Sequence, residues 1–243
     1  MIWDLFLSSL LLSVVLVGIH AHFGREIIKR GIIFADIAVA QFSALGYALS
    51  LVLMHGEGAF VLTLLFSLFA SLLIAFSQRL KEYAEAFVGL LYALGVSGVV
   101  LLLTHSPHGM EEIRKLTAGD VLLVPFSGVL KSALLYAVIG LLLYLRARLE
   151  GILKELSFFV LFSLTLASSV SLVGVLVVFA LLLGPAIVSL LFQKGIVFAW
   201  VYGTLINLVA VAVSFNIDLP TGYSIVFLQA LAGMFAFIIK ALR

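Results

Sequence analysis

From Leu156 to Phe192 the chain runs 37 residues without a charged side chain. As a single helix this stretch would be about 55 Å long at ~1.5 Å per residue, too long for one crossing of a ~30 Å hydrocarbon core. Its middle holds Ser168, Ser169, Ser171 and Gly174, and Gly184-Pro185 follows. In water such residues would weaken so apolar a helix. In a bilayer, neighbouring helices satisfy the freed backbone groups and small residues let backbones approach closely. Two tightly joined spans, with a turn or unwound segment between them, are therefore predicted, and the rest of the chain is expected to pack around that pair.

The remaining sequence agrees. Of 243 residues, 64% are hydrophobic and 11% charged, and the mean hydropathy is +1.31; this composition fits a polytopic α-helical membrane protein and no soluble class. Apolar runs predict about nine spans, near 2–23, 32–54, 59–77, 86–104, 124–145, 156–173, 175–192, 196–214 and 222–240. The first lacks the basic start of a cleavable signal and is read as a span. The whole of 1–243 reads as one transmembrane domain. With the N-terminus outside, eleven of the fourteen Lys and Arg residues fall in inner loops or at the C-terminus, leaving Arg114, Lys115 and Lys131 outside. That bias favours nine spans and an inner C-terminus.

Several function classes drop out. Without Cys there is no disulfide, thiolate metal site or thiol catalysis. No phosphate-binding Gly-rich loop, HExxH pair or Ser/His/Asp set is present, so the chain is not read as an enzyme. Its basic residues are scattered over separate loops, which argues against nucleic acid.

Asp36 is the sharpest polar signal, an ionisable group inside an apolar span. Such a group marks function by default, because leaving it in lipid costs about 3 kcal/mol or more. Ala40, Ser43, Tyr47 and Ser50 follow at helical spacing and place a stripe of small or polar groups on its face. The stripe suits a hydrated path or a close helix contact; the plainer alternative pairs Asp36 with Lys29 or Arg30. His20 and His22 are two apart and point to different faces, so they are read as packed or interfacial. His105, His108 and Glu111 lie i, i+3, i+6 in the longest polar loop, which is expected to form a short helix on the membrane surface. They could hold a metal ion, but Pro107 and Gly109 oppose a regular helix across all three, and a docking surface is the other reading. Thr165, Ser168, Asn207 and Gln229 are expected to make interhelical hydrogen bonds.

Four stretches together resemble a known family. They are Arg30-Gly-Ile-Ile-Phe-Ala-Asp36-Ile-Ala-Val-Ala-Gln41, Leu116-Thr-Ala-Gly119-Asp120-Val-Leu, Gly174-Val-Leu-Val-Val-Phe-Ala-Leu-Leu-Leu-Gly-Pro185-Ala186 and Asp218-Leu-Pro-Thr-Gly222. In this order they resemble the permease subunits of bacterial zinc-, manganese- or iron-uptake ABC transporters, over nearly the whole chain. The resemblance implies a dimer of permease copies in the inner membrane, two cytoplasmic ATP-binding subunits and an extracytoplasmic metal-binding protein. It implies no cofactor in this chain, ATP on the partner and a divalent ion as cargo. Asp36 then matches the family's acidic residue on the translocation path, with Gln41, Ser43 and Tyr47 beside it. The family's His four residues after that Asp is Ala40 here, with Gln41 adjacent. The family's longer cytoplasmic segment between the fifth and sixth spans is reduced to 146–155. Arg146, Arg148, Glu150 and Lys154 in that connection are the expected ATPase contacts. An ATPase-independent carrier or channel, or a membrane scaffold without transport, are the rival readings.

Overall fold

The computed structural model describes residues 2–104 and 106–242, the side chains of 2–5 and 80–82 excepted. Ten α-helices and two short 3-10 segments make up the fold, with no strand among the described residues. In order they are α1 (Ile2–Arg30), α2 (Ala35–Met54), α3 (Ala59–Ser77), α4 (Ala84–Leu103), α5 (Gly109–Thr117), α6 (Phe126–Arg146), α7 (Gly151–Val173), α8 (Val175–Leu191), α9 (Ile196–Ile217) and α10 (Thr221–Ala241). The 3-10 segments are Gln78–Tyr83 and Val121–Leu123. The all-α multi-pass fold is thus as the apolar runs predict. Eight helices are long and apolar enough to cross a membrane, and α8, at 17 residues, is the shorter ninth.

The boundaries move for identifiable reasons. Helix α1 continues past the apolar run to Arg30, because Arg25, Glu26, Lys29 and Arg30 are themselves good helix formers. The chain then bends at Gly31, whose φ of 71° is left-handed, and α2 starts at Ala35 rather than near 32. The uncharged run breaks at one residue, Gly174. Its φ of 82° and ψ of 163° lie in a region open to glycine and closed to side chains. The 55–58 turn is tight as expected: Gly56 N–H bonds Ser50 O at 3.0 Å, and His55, Gly56 and Gly58 all take positive φ.

The chain divides into two compact units, with α6 and α7 shared between them. One comprises Met1–Gly31, Ala118–Tyr136 and Leu172–Arg243. Here α1 and α10 each pack against α8 and α9. A Cβ on Gly24 of α1 would collide with the Leu182 carbonyl oxygen, so α1 and α8 touch backbone to backbone. Trp200 Nε1 donates to Val14 O at 2.8 Å, and Arg25 Nη1 donates to Ser189 Oγ at 2.5 Å and to Lys194 O at 2.8 Å. The Arg25 charge thereby meets the carbonyl end of α8, where a cation is favoured.

The other unit comprises Ile32–Thr117 and Ala137–Ser171. Its centre is α2, flanked by α3 and α4. Glycines again set the spacing: a Cβ on Gly46 would lie 2.5 Å from Leu62 O, and one on Gly95 would lie 2.8 Å from Gln41 Cβ. Helices α3 and α7 are joined by buried serines. Ser67 Oγ donates to Ser163 O at 3.0 Å, and Ser163 Oγ meets Ser71 Oγ at 2.6 Å. In hydrocarbon, where water cannot compete, such bonds between helices contribute about 0.6 kcal/mol each.

Candidate translocation site

Asp36 lies in the first turn of α2 and is 1% exposed. Neither carboxylate oxygen has a well-formed hydrogen bond among the described residues; only the amides of Asp36 and Ile37, at the start of its own helix, lie toward it. A helix start offers partial positive charge to a carboxylate, but that falls well short of compensating a buried, unpaired acid. The preceding turn is held by α4, because Ile33 N–H donates to Glu85 Oε1 at 3.2 Å.

The stripe that follows Asp36 is a third face of α2. Gln41 and Leu45 meet α4 at Gly95 and Gly98, and Phe42 and Gly46 meet α3. Asp36, Ala40, Ser43 and Ser50 are nevertheless all buried, and Tyr47 is half-buried, within one chain. The hydroxyls do not project as ligands: Ser43 Oγ donates to Val39 O at 3.1 Å and Ser50 Oγ to Tyr47 O at 2.7 Å, inside their own helix. Asp36 is left as the one strong oxygen donor on the stripe. Gln41 belongs to the neighbouring face, against α4.

The outer-loop residues are separated. His105 lies outside the described residues. His108 is exposed and precedes α5, while Glu111 is on α5, whose short helical form the sequence predicted. Glu111 spends its charge on Lys115 at 3.0 Å. That hydrogen bond, with the Lys115 charge, holds the Glu111 carboxyl below its ordinary range and lifts Lys115 above its own. No cluster of three His, Cys, Asp or Glu able to hold a metal occurs among the described residues.

The connection between α6 and α7 is four residues, 147–150, and Lys154 belongs to the first turns of α7. Arg146 is buried: its Nε donates to Lys154 O at 2.9 Å and its guanidinium lies 5.1 Å from the centre of the Phe158 ring. Arg148 and Glu150 are exposed, as are Ile152 and Leu153. A cavity of about 250 Å³ beside the connection is lined by Leu142, Leu145, Arg146, Leu149, Ser157, Val160 and Leu161.

Sequence reasoning found all four family-like stretches and missed that three of them meet. Gly119 N–H donates to Val173 O at 3.0 Å, directly before Gly174. A Cβ on Gly222 would collide with the Gly119 carbonyl oxygen. Asp120 caps the 121–123 turn through Leu122 N–H at 3.0 Å, and Asp218 takes a left-handed φ of 53° while Ser214 Oγ reaches Leu219 O at 2.6 Å. These motif residues build one corner of the first unit. The histidines of α1 are packed, as expected: His20 Nδ1 donates to Leu16 O at 2.7 Å, and the Tyr136 ring meets it edge-on. Asn207 and Gln229 join α9 to α10, whereas the hydroxyls of Thr165 and Ser168 donate to carbonyls of their own helix.

Residues 146–240 match the ABC 3 transport family. The resemblance to the metal-type ABC permeases is borne out. Two Haemophilus influenzae proteins, each named "Probable iron transport system membrane protein", are similar to this chain. One is 26% identical over 174 residues and the other 24% over 266. The alignments cover 63% and 97% of this chain, and 63% and 90% of the respective relatives. Among solved structures, PsaBC from Streptococcus pneumoniae, bound to a Fab, superposes with a TM-score of 0.74 at 20% identity over 96% of this chain and 91% of that one. An inward-facing metal-chelate type ABC transporter superposes with a TM-score of 0.71 at 20% identity over 100% of this chain and 89% of that one. Both structural likenesses carry the fold. The chain is a multi-pass membrane protein.

Proposed function

We propose that the chain is the membrane subunit of an ATP-driven importer of a divalent metal ion, zinc, manganese or iron. In this reading it works in the inner membrane as a dimer, N-terminus outside and C-terminus inside. A separate cytoplasmic subunit hydrolyses ATP, and an extracytoplasmic metal-binding protein delivers the ion. The observation that carries the reading is Asp36, a buried carboxylate with no well-formed hydrogen bond or ion pair among the described residues. A divalent cation passing it would meet a hard oxygen ligand. With Ala40 in place of a second strong ligand, the contact is weak enough to release the ion. ATP-driven closure of the partner subunits would switch access from one side to the other.

The test is metal uptake into sealed vesicles that carry the permease with its ATPase. Asp36→Asn keeps the side-chain volume and removes the charge, so uptake is expected to fall nearly to background while membrane yield is unchanged. Full uptake by that variant would exclude Asp36 from the path. The short connection at 147–150, with Arg146 folded into it, favours a second reading as a carrier that runs without ATP. Uptake that persists without nucleotide would select that reading.

A further inference from the structure

Helices α9 and α10 meet at a buried pair of amides, with Gly184 and Pro185 of α8 beside it. Gln229 Nε2 donates to Gly203 O at 2.9 Å and to Asn207 Oδ1 at 2.8 Å, and both side chains are 0% exposed. These bonds fix which way each amide faces. Turned over, Gln229 would set its oxygen against the Gly203 carbonyl; turned over, Asn207 would set one NH₂ group against another. In the orientation that survives, Gln229 Oε1 and Asn207 Nδ2 have no partner among the described residues. Pro185, inside α8, adds to the imbalance, since it has no N–H to give the Leu181 carbonyl.

The surroundings are shaped by glycine. A Cβ on Gly203 would collide with the Pro185 ring, so the ring seats on bare α9 backbone at the residue whose carbonyl Gln229 holds. Gly184 leaves a notch beside the orphaned oxygen, where a Cβ would lie 2.9 Å from Gln229 Oε1. A group that satisfies both orphaned atoms must accept a hydrogen bond from Asn207 and donate one to Gln229. A metal cation cannot accept, and an apolar group can do neither. Water does both, and buried waters characteristically settle where two to four such atoms converge.

The geometry points to a buried water-binding site at this junction, bridging Gln229 and Asn207 beside Gly184. The site ties the Gly184–Pro185 segment of α8 to α9 and α10, and its unsatisfied donor makes it a poor stop for a cation. It is built without Asp36 and does not depend on what the protein transports.

Brief X-ray radiolysis of the purified protein in lipid nanodiscs tests this. Hydroxyl radicals form where water sits, so a bound water marks the buried side chains around it. Leu181 and Leu166 are 1% and 0% exposed and chemically identical. Oxidation of Leu181 and Pro185 should outpace that of Leu166 in the native protein. The difference should vanish in Gln229→Met, which keeps the chain length and removes both polar atoms. Gly184→Ala, which fills the notch, should erase it independently. Equal rates at Leu181 and Leu166 in the native protein, or a difference that survives Gln229→Met, would overturn the assignment.

Discussion

Gly174 shows how much one residue can decide in so apolar a chain. Its backbone lies where a Cβ is excluded, and it separates α7 from α8 without any other residue leaving the helix. Gly174→Ala must either hold a strained backbone, at about 1–3 kcal/mol, or let the two helices run together. Thermal unfolding in detergent should show a lower melting temperature for Gly174→Ala, with Ala167→Gly as a control for helix propensity alone. An unchanged melting temperature would mean that the break tolerates a side chain. The same residue also shows what a sequence can disclose. Glycine among serines in an uncharged run signals a break, because nothing else there can turn the chain. The start of α2 carries no such sign: Phe34 precedes it, with no side-chain cap, and the bend lies back at Gly31. Asp36 therefore reads as lying within a span, whereas it stands in a first turn.

Among the elements, the α6–α7 connection bears most directly on how force could reach the membrane. Arg146 and Arg148 look alike in sequence, but the fold separates them. Arg146 is committed to Lys154 O and the Phe158 ring, while Arg148 is exposed and available to a partner. Charge reversal at the two positions should thus have different effects. Arg148→Glu should leave the melting temperature nearly unchanged, as exposed substitutions usually do within about 0.5 kcal/mol, yet release an ATPase subunit during co-purification. Arg146→Glu should lower the melting temperature, because it buries an acid against backbone oxygen and an aromatic face. Co-purification of the partner at native yield with Arg148→Glu would remove this connection from the docking surface. Contacts between elements were only partly legible beforehand. Asn207 and Gln229 stood out because an amide in hydrocarbon needs a partner. The Ser67, Ser71 and Ser163 set did not, because serine can equally bond its own helix, as Ser43 and Ser50 do.

At the scale of the whole molecule, alternating charge and apolar runs set out the all-α order of spans, but not the grouping into two units that draws 1–31 together with 172–243. That grouping depends on close approaches at Gly24, Gly203 and Gly222, and no pattern within one segment reveals which neighbour a glycine will meet. The corner where Gly119, Val173 and Gly222 meet has a consequence for the order of events during synthesis. Its first two parts leave the ribosome well before the third, which lies in α10. The eight spans before α10, α1–α4 and α6–α9, must therefore wait with this corner open, and the unit locks only when α10 arrives. A chain ended after Ile217 should insert yet remain sensitive to protease at 118–125, while the full chain resists. Equal resistance of the two chains would show that the corner closes without its last part. The step on which closure of this unit waits is then the arrival of α10, not the folding of the helices made before it.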